Sequence, residues 1–353
     1  MKNTVQERNN KQVATWLFIG VAMIIVQVVI GGITRLTESG LSITEWKPIT
    51  GALPPLNDMA WQVEFDKYRT TDQFKYVHQH FSMNDFKFIF FWEWFHRLWA
   101  RMLGLVFLIG FTYFIVKKKF SKQMITPMIV LFLLGAMQGL VGWLMVKSGL
   151  VPEKYYVGHV ELTTHLIAAT ILLAYTFWFA CSLLQSMQVK IEQRNIRSYL
   201  YLVATLLFFQ LIYDGFMAGL KAGAIAPTWP DINGSFIPFE MNELSPWIQN
   251  IINNPITIHF IHRGLAYVLL ITVILYFVEA RKIIHVRLFS KYSRLLLLLF
   301  IVQVALGIFT VLNSTNKSSL VWLGVSHQFV AMLLVLCLTS LLYFLKKPAI
   351  EVK

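Results

Sequence analysis

The chain has 353 residues, 56% of them hydrophobic and only 14% charged, with a mean hydropathy of +0.59; soluble domains carry roughly 25% charged residues. The formal net charge of +13 is not a nucleic-acid signature, because the basic residues sit in short segments between apolar runs, where they set membrane topology. Cys181 and Cys337 both fall inside apolar runs, which argues for packing roles and against a disulfide or a thiolate metal site.

A spanning helix needs about 20 mainly apolar residues. The first qualifying run, 15–33, is followed by Gly31-Gly-Ile-Thr-Arg35 with no small-residue cleavage site, so it reads as a retained helix and not a signal peptide. No Arg/Ser-rich transit stretch precedes it, which favours a bacterial inner membrane. Next comes the long segment 34–88, rich in Pro, Trp and acids, whose end (Asp85 to Trp92) has the aromatic density of a membrane interface. Runs follow at 89–116, 125–146, 160–184 and 199–219; then a second long segment, 220–255; then runs at 256–278, 294–313 and 321–345. The two long segments read as ordered caps. The fold class is therefore an all-α integral membrane protein with eight transmembrane helices. Eighteen basic residues lie in short segments on one side, among them Lys117–Lys119, Lys190, Arg281, Lys346, Lys347 and Lys353; the other side has 10, six of them in 34–88. The positive-inside rule places both termini in the cytoplasm.

The two halves repeat. Phe95-His96-Arg97 matches Ile261-His262-Arg263; Gln138…Gly142 matches Gln303…Gly307; His165 matches His327; Gln27…Gly32…Gly40 matches Gln210…Gly215…Gly223. All four spans match in order, which predicts two pseudo-symmetric four-helix bundles, residues 1–185 and 195–353, related by an axis along the membrane normal. Small residues at four-residue spacing, Gly135/Gly139 and Gly215/Gly219/Gly223, predict close helix approach in each half.

The matched histidines lie at one depth, each a few residues into a span entering from the outer side. A lone apolar-face histidine is usually a packing residue. Four at matched positions of a repeat point instead to ligation, and two from facing helices suit both axial positions of a haem iron. The others are weaker candidates: His78 and His80 read as a solvated loop rather than a metal site, His285 as part of a basic loop, and His159 as interfacial. His259 shares the face of His262 and is a second-shell group or an alternative ligand.

Glu93 lies one turn before His96, and its counterpart in the repeat is His259. An acid in one half only suggests that the first half does proton or cation chemistry; the competing reading is a simple ion pair with Arg97. Glu161, one turn before His165, is a second candidate acid. Arg97 and Arg263 suit haem propionates or snorkelling to headgroups; Arg101, one turn deeper, is harder to explain by snorkelling.

Taken together, Gly31-Gly-Ile-Thr-Arg-Leu-Thr-Glu-Ser-Gly-Leu-Ser42, Glu93-x-x-His-Arg97, His165-Leu, His262-Arg and His327-Gln resemble the haem A synthases over nearly the whole chain. The resemblance implies an oxidoreductase converting a ring methyl of haem O to the formyl of haem A for terminal oxidase assembly. It implies that His96 and His165, with Arg97, bind substrate haem O; that His262 and His327, with Arg263, bind a haem b cofactor; and that Glu93 is catalytic. It also implies membrane lipid, haem O synthase and an electron carrier as partners, and leaves room for a homo-oligomer. Lacking the outer-loop cysteine pair of many bacterial members, the chain is similar to the alphaproteobacterial and mitochondrial group. The competing function is a di-haem b-type, quinol-linked electron carrier, against which the one-sided Glu93 argues. A haem transporter would need ligands across the whole membrane.

Overall fold

The structure is a computed structural model that describes residues 2–47, 50–184, 193–283 and 286–345; His285, Lys190, Lys346, Lys347 and Lys353 lie outside the described residues. The helices are α1 (Lys2–Leu36), α2 (Asp58–Arg69), α3 (Asp72–Tyr76), α4 (Met83–Val116), α5 (Lys122–Gly149), α6 (His159–Ser182), α7 (Arg194–Gly219), α8 (Ala222–Ile225), α9 (Asn250–Asn253), α10 (Pro255–Ala280), α11 (Arg287–Leu312) and α12 (Lys317–Phe344). Among the described residues, eight (α1, α4–α7 and α10–α12) are long and apolar enough to cross a membrane. Several outrun their apolar windows because polar caps extend them. α4 begins six residues before the expected 89: the Ser82 hydroxyl accepts from the Asp85 N–H, while the Asp85 carboxylate accepts from the Ser82 N–H. Asn254 caps α10 ahead of Pro255, a residue suited to the first helical position.

Packing divides the spans into a central and a peripheral set. α1 packs on α4 and α6, and α5 on α6; α7 packs on α10 and α12, and α11 on α10 and α12. The first four spans meet the last four through α6 on α7, α1 on α12 and α6 on α12. Only 6% of the apolar windows of α4 and of α5 is buried, against 39% in α1 and 44% in α6, so α4 and α5 present most of their surface to the surroundings. At the α6–α7 seam, Gly215 and Gly219 lie against Thr163 and His159 so closely that any Cβ would clash, as the four-residue spacing predicts. Gly223 makes only an ordinary contact with Ser314. Gly135 and Gly139 do not serve close approach: nothing lies within 4 Å of a Cβ built on either, because α5 does not pack closely on α4.

The described parts of both long segments form caps on one end of the bundle, opposite the start of α1 and the end of α12. The first packs Phe65 and Tyr68 of α2 against Phe86, Ile89 and Phe90 of α4; the second packs Ala226 and Ile232 on Ile256. His78 is not solvated. It is buried in the first cap, 2.7 Å from the Tyr68 hydroxyl and stacked on Phe81, because the fold brings Tyr68 and Glu38 to it from other elements. His80 is exposed, as expected. Cys181 and Cys337 are buried.

Glu38 ties the cap end together. Just past α1, in the left-handed region (φ 59°), its carboxylate meets Lys221 Nζ at 2.5 Å, the Tyr156 hydroxyl at 3.1 Å, Lys317 Nζ at 3.2 Å and His78 Nε2 at 3.4 Å. Those partners come from the first cap, the α5–α6 loop, the end of α7 and the start of α12. His78 and the two lysines outweigh burial and hold the Glu38 carboxyl well below the usual carboxylate range. Burial beside this carboxylate pushes the Tyr156 phenol up to about 12.

Replacing Glu38 with Gln keeps the shape and removes the charge, and should cost about 1.5–3 kcal/mol, the worth of a charge-assisted hydrogen bond, read as a lowered unfolding midpoint in detergent. A depressed folded-state pKa stabilises above the unfolded value. The gap between wild type and variant should therefore be flat above about pH 5, shrink below the unfolded-state pKa of about 4.3, and vanish once folded Glu38 is protonated. A gap that widens on acidification is incompatible with this assignment.

Candidate functional site

The four matched histidines sit on α4, α6, α10 and α12, and each meets a glutamine from the preceding span. The Gln27 amide donates to the His96 carbonyl at 3.2 Å and lies 3.1 and 3.2 Å from its ring nitrogens. Gln138 lies 3.2 Å from His165 Nδ1 and donates to its carbonyl at 3.3 Å. Gln210 makes both contacts with His262 at 3.1 Å, and Gln303 lies 3.3 Å from His327 Nε2. One turn on from each glutamine comes the residue that faces the ring. For Gly31, Gly142 and Gly307, a Cβ would come within 3.0, 2.8 and 3.1 Å of the Cε1 of His96, His165 and His327. A side chain there would crowd the imidazole in its present position. At the fourth position stands Asp214. A carboxylate oxygen of Asp214 and one ring nitrogen each of His262 and His327 lie within 4.8 Å of one another.

All four histidines line one mainly apolar cavity of about 1880 Å³, well above the roughly 300–1,000 Å³ of a pocket for one drug-sized ligand. The Oε1 atoms of Gln27, Gln138, Gln210 and Gln303, together with His327 Nδ1, are buried with no partner among the described residues. Such orphans are rare in folded proteins. Their recurrence beside every matched histidine marks a place built for a bound group. Metal–imidazole bonds are about 2.0 Å, so nitrogens across one iron stand about 4 Å apart; a ring nitrogen of His262 and one of His327 lie within 4.8 Å of each other. Four imidazoles, within one cavity large enough for two macrocycles, fit haem.

Glu93 is 2% exposed and lines the same cavity. Its carboxylate accepts from the Ser42 hydroxyl at 2.7 Å, the Ile43 N–H at 2.8 Å and Arg97 at 2.6 Å, so the Glu93–Arg97 pair is present. Both matched arginines hold caps. Arg97 donates to the Ile43 and Glu45 carbonyls at 3.0 and 3.2 Å. Arg263 donates to the Thr228 and Asp231 carbonyls at 2.5 and 2.7 Å, and to His259 Nε2 at 2.9 Å. His259 thus acts on Arg263 as Glu93 does on Arg97. Arg101 donates to the Lys47 carbonyl at 2.9 Å, a tie to the first cap that accounts for its depth. His159 sits at the α6–α7 seam, 3.0 Å from the Ile252 carbonyl. Glu161 is not among the residues lining the cavity.

Sequence reasoning uses the glutamines to mark the repeat but gives them no role, and it passes over Asp214 and Glu38. The signal is present: Gln-x-x-x-Gly occurs in spans 1, 3 and 7, and Gln-x-x-x-Asp in span 5.

Comparison with known proteins agrees with this layout. The chain is 39% identical to a Heme A synthase of Flavobacterium johnsoniae over 97% of this chain and 100% of that protein. It is 39% identical to one of Nitrosospira multiformis over 92% and 90%, and 40% identical to one of Novosphingobium aromaticivorans over 92% and 93%. Residues 14–339 match COX15-CtaA, described as cytochrome oxidase assembly protein. With every matched histidine and glutamine inside that stretch, the chain belongs to the COX15-CtaA family.

Proposed function

We propose that this chain is a haem A synthase, which oxidises the ring methyl of haem O to a formyl group. The carrying observation is the pair of histidine pairs lining one cavity, in a chain related over nearly its full length to proteins named Heme A synthase. Residues 1–185 would take substrate haem O between His96 and His165, and residues 195–353 would hold haem b between His262 and His327. Haem O synthase supplies the substrate, an electron carrier takes the electrons, and the basic residues at the termini keep that end at the cytoplasmic face of an inner membrane.

Conversion of methyl to formyl, counted in water equivalents, consumes one water and releases four electrons and four protons. Haem b, when bound, supplies an electron-transfer centre near the reacting one. Gln27 and Gln138, whose amides donate to the backbone carbonyls of His96 and His165, hold the helix turns that carry the substrate-binding imidazoles. Glu93, one turn from His96, is the base that receives protons from the substrate methyl. Ser42, Ile43 and Arg97 fix its direction. Arg97 spends three of a guanidinium's five donors on Glu93, Ile43 and Glu45; the remaining two are available to a substrate propionate. Arg263 stands in the same relation to the haem b edge. Asp214 puts a negative charge beside the His262–His327 pair, which favours the oxidised iron.

Pigments extracted from cells with and without a haem O source should distinguish the readings. Haem O, its hydroxylated product and haem A identify the synthase; protohaem alone under both conditions would instead identify a di-haem cytochrome. Glu93→Gln should bind haem O yet form haem A at least about 100-fold more slowly, the lower end for a general base; a normal rate removes the acid from the mechanism. Asp214→Asn should raise the midpoint potential of the haem held by His262 and His327, measured by spectroelectrochemistry. An unchanged potential would refute the charge effect.

A further inference from the structure

The cavity is far deeper in the first half than in the second. Along α10 its wall ends at Tyr267, five residues past His262, whereas along α4 and beyond it continues to Lys118, 22 past His96. On α11 it reaches Phe300, three before Gln303; on α5 it reaches Lys122, sixteen before Gln138. On α7 it reaches Leu207, three before Gln210; on α1 it reaches Trp16, eleven before Gln27. At 1.5 Å per residue, α1, α4 and α5 carry the wall roughly 10–25 Å further from the histidines than α7, α10 and α11 do, while α6 and α12 differ little, reaching Thr176 and Leu334, eleven and seven residues past their histidines.

The cause lies in the packing. α10 and α11 pack on each other; their counterparts α4 and α5 are not among the pairs in close contact. Between them lie Gly104, Gly135 and Gly139, all on the cavity wall and all with nothing within 4 Å of a built Cβ. Gly104 is eight residues beyond His96, and Gly139 and Gly135 are three and seven before Gly142, which abuts His165. They therefore lie about 5–12 Å from the histidine level. The flanking surface is apolar and outward-facing, with Leu108, Ile129 and Phe132 exposed. A porphyrin ring between His96 and His165 does not need this depth; a long hydrocarbon substituent on that ring does.

Resting on the synthase reading, we propose that the gap between α4 and α5 is a lateral portal and channel for the isoprenoid side chain of the substrate haem. The ring enters from the bilayer through the gap, and the chain stays in it, along Gly104, Gly135 and Gly139, while the ring sits between the histidines. Among the described residues, α10 and α11 of the second half line no such depth, which suits a haem without the chain. Glycine at these three positions serves width: a side chain there would project into empty space that the substituent fills.

The test uses purified full-length protein with its resident haem in place, as wild type, Gly104→Leu and Gly139→Leu, titrated with haem O and with protohaem, which lacks the chain. Wild type should bind haem O at least tenfold more tightly than protohaem. Either leucine should bring the ratio toward one by weakening haem O alone, with the resident haem's absorbance unchanged as the sign of intact folding. Equal affinities in wild type, a ratio untouched by both leucines, or equal weakening of both ligands overturns the channel. So does a phospholipid, detected by native mass spectrometry, that haem O fails to displace. Turnover on the same samples separates the two levels. Wild type that makes haem A with an unaltered ratio refutes the channel alone; wild type that makes none refutes the synthase reading, and the affinity ratio still decides the channel.

Discussion

A buried imidazole held by a buried amide is the constraint on which the rest of the structure depends. Within a bilayer a polar side chain has no water to turn to, so each must be satisfied by protein or by a ligand. The chain solves this four times in the same way, with a glutamine from the preceding span reaching the histidine's ring and, in three cases, its backbone carbonyl. That solution dictates others. The ring lies close against the neighbouring helix at the residue one turn on from the glutamine, and three of the four modules have glycine there, Gly31, Gly142 and Gly307. The amide oxygen left over is the part the protein does not satisfy, and it recurs where a bound group belongs.

Once four modules share one design, the departures carry the information. Glu93 and His259 occupy matching positions and both engage the arginine one turn on, but only one of them is an acid. Asp214 stands where three modules have glycine. The acid of the first half lies one turn from a histidine and is bound to its cap; the acid of the second lies beside ring nitrogens of two histidines. Their placements suit proton handling in one half and adjustment of an iron's charge in the other. Arg97 and Arg263 serve both halves alike: each closes its cap over the cavity by donating to loop carbonyls, so cap and site are mechanically linked.

Features governed by neighbours along the chain are legible in the amino-acid sequence. The spans follow from hydropathy, the Glu93–Arg97 pair from i, i+4 spacing, and the four histidines from the repeat. Features governed by distant partners are not. His78 reads as a loop residue because nothing near it announces that Tyr68 and Glu38 converge on it. Glu38 reads as one letter of a motif, though its four partners lie on four separate segments. Gly135 and Gly139 mislead for the opposite reason. Four-residue glycine spacing looks the same whether a helix fills the groove, as at Gly215 and Gly219, or nothing in the protein does.

The division of labour between the halves therefore no longer rests on a single acid. A resident cofactor favours a site whose helices pack shut around it, since nothing has to pass once it is bound; α10 on α11 provides that. A substrate that arrives from the membrane and leaves again needs a path through the wall, and an opening between spans facing lipid costs little because hydrocarbon can cover it. The same opening facing water would expose apolar surface that soluble proteins cannot leave bare. The looseness of α4 against α5 is thus tolerable only in the environment that also delivers a lipophilic substrate. The two histidine pairs are gripped alike, and the looser wall of the first half is what suits it, on the proposed reading, to turnover.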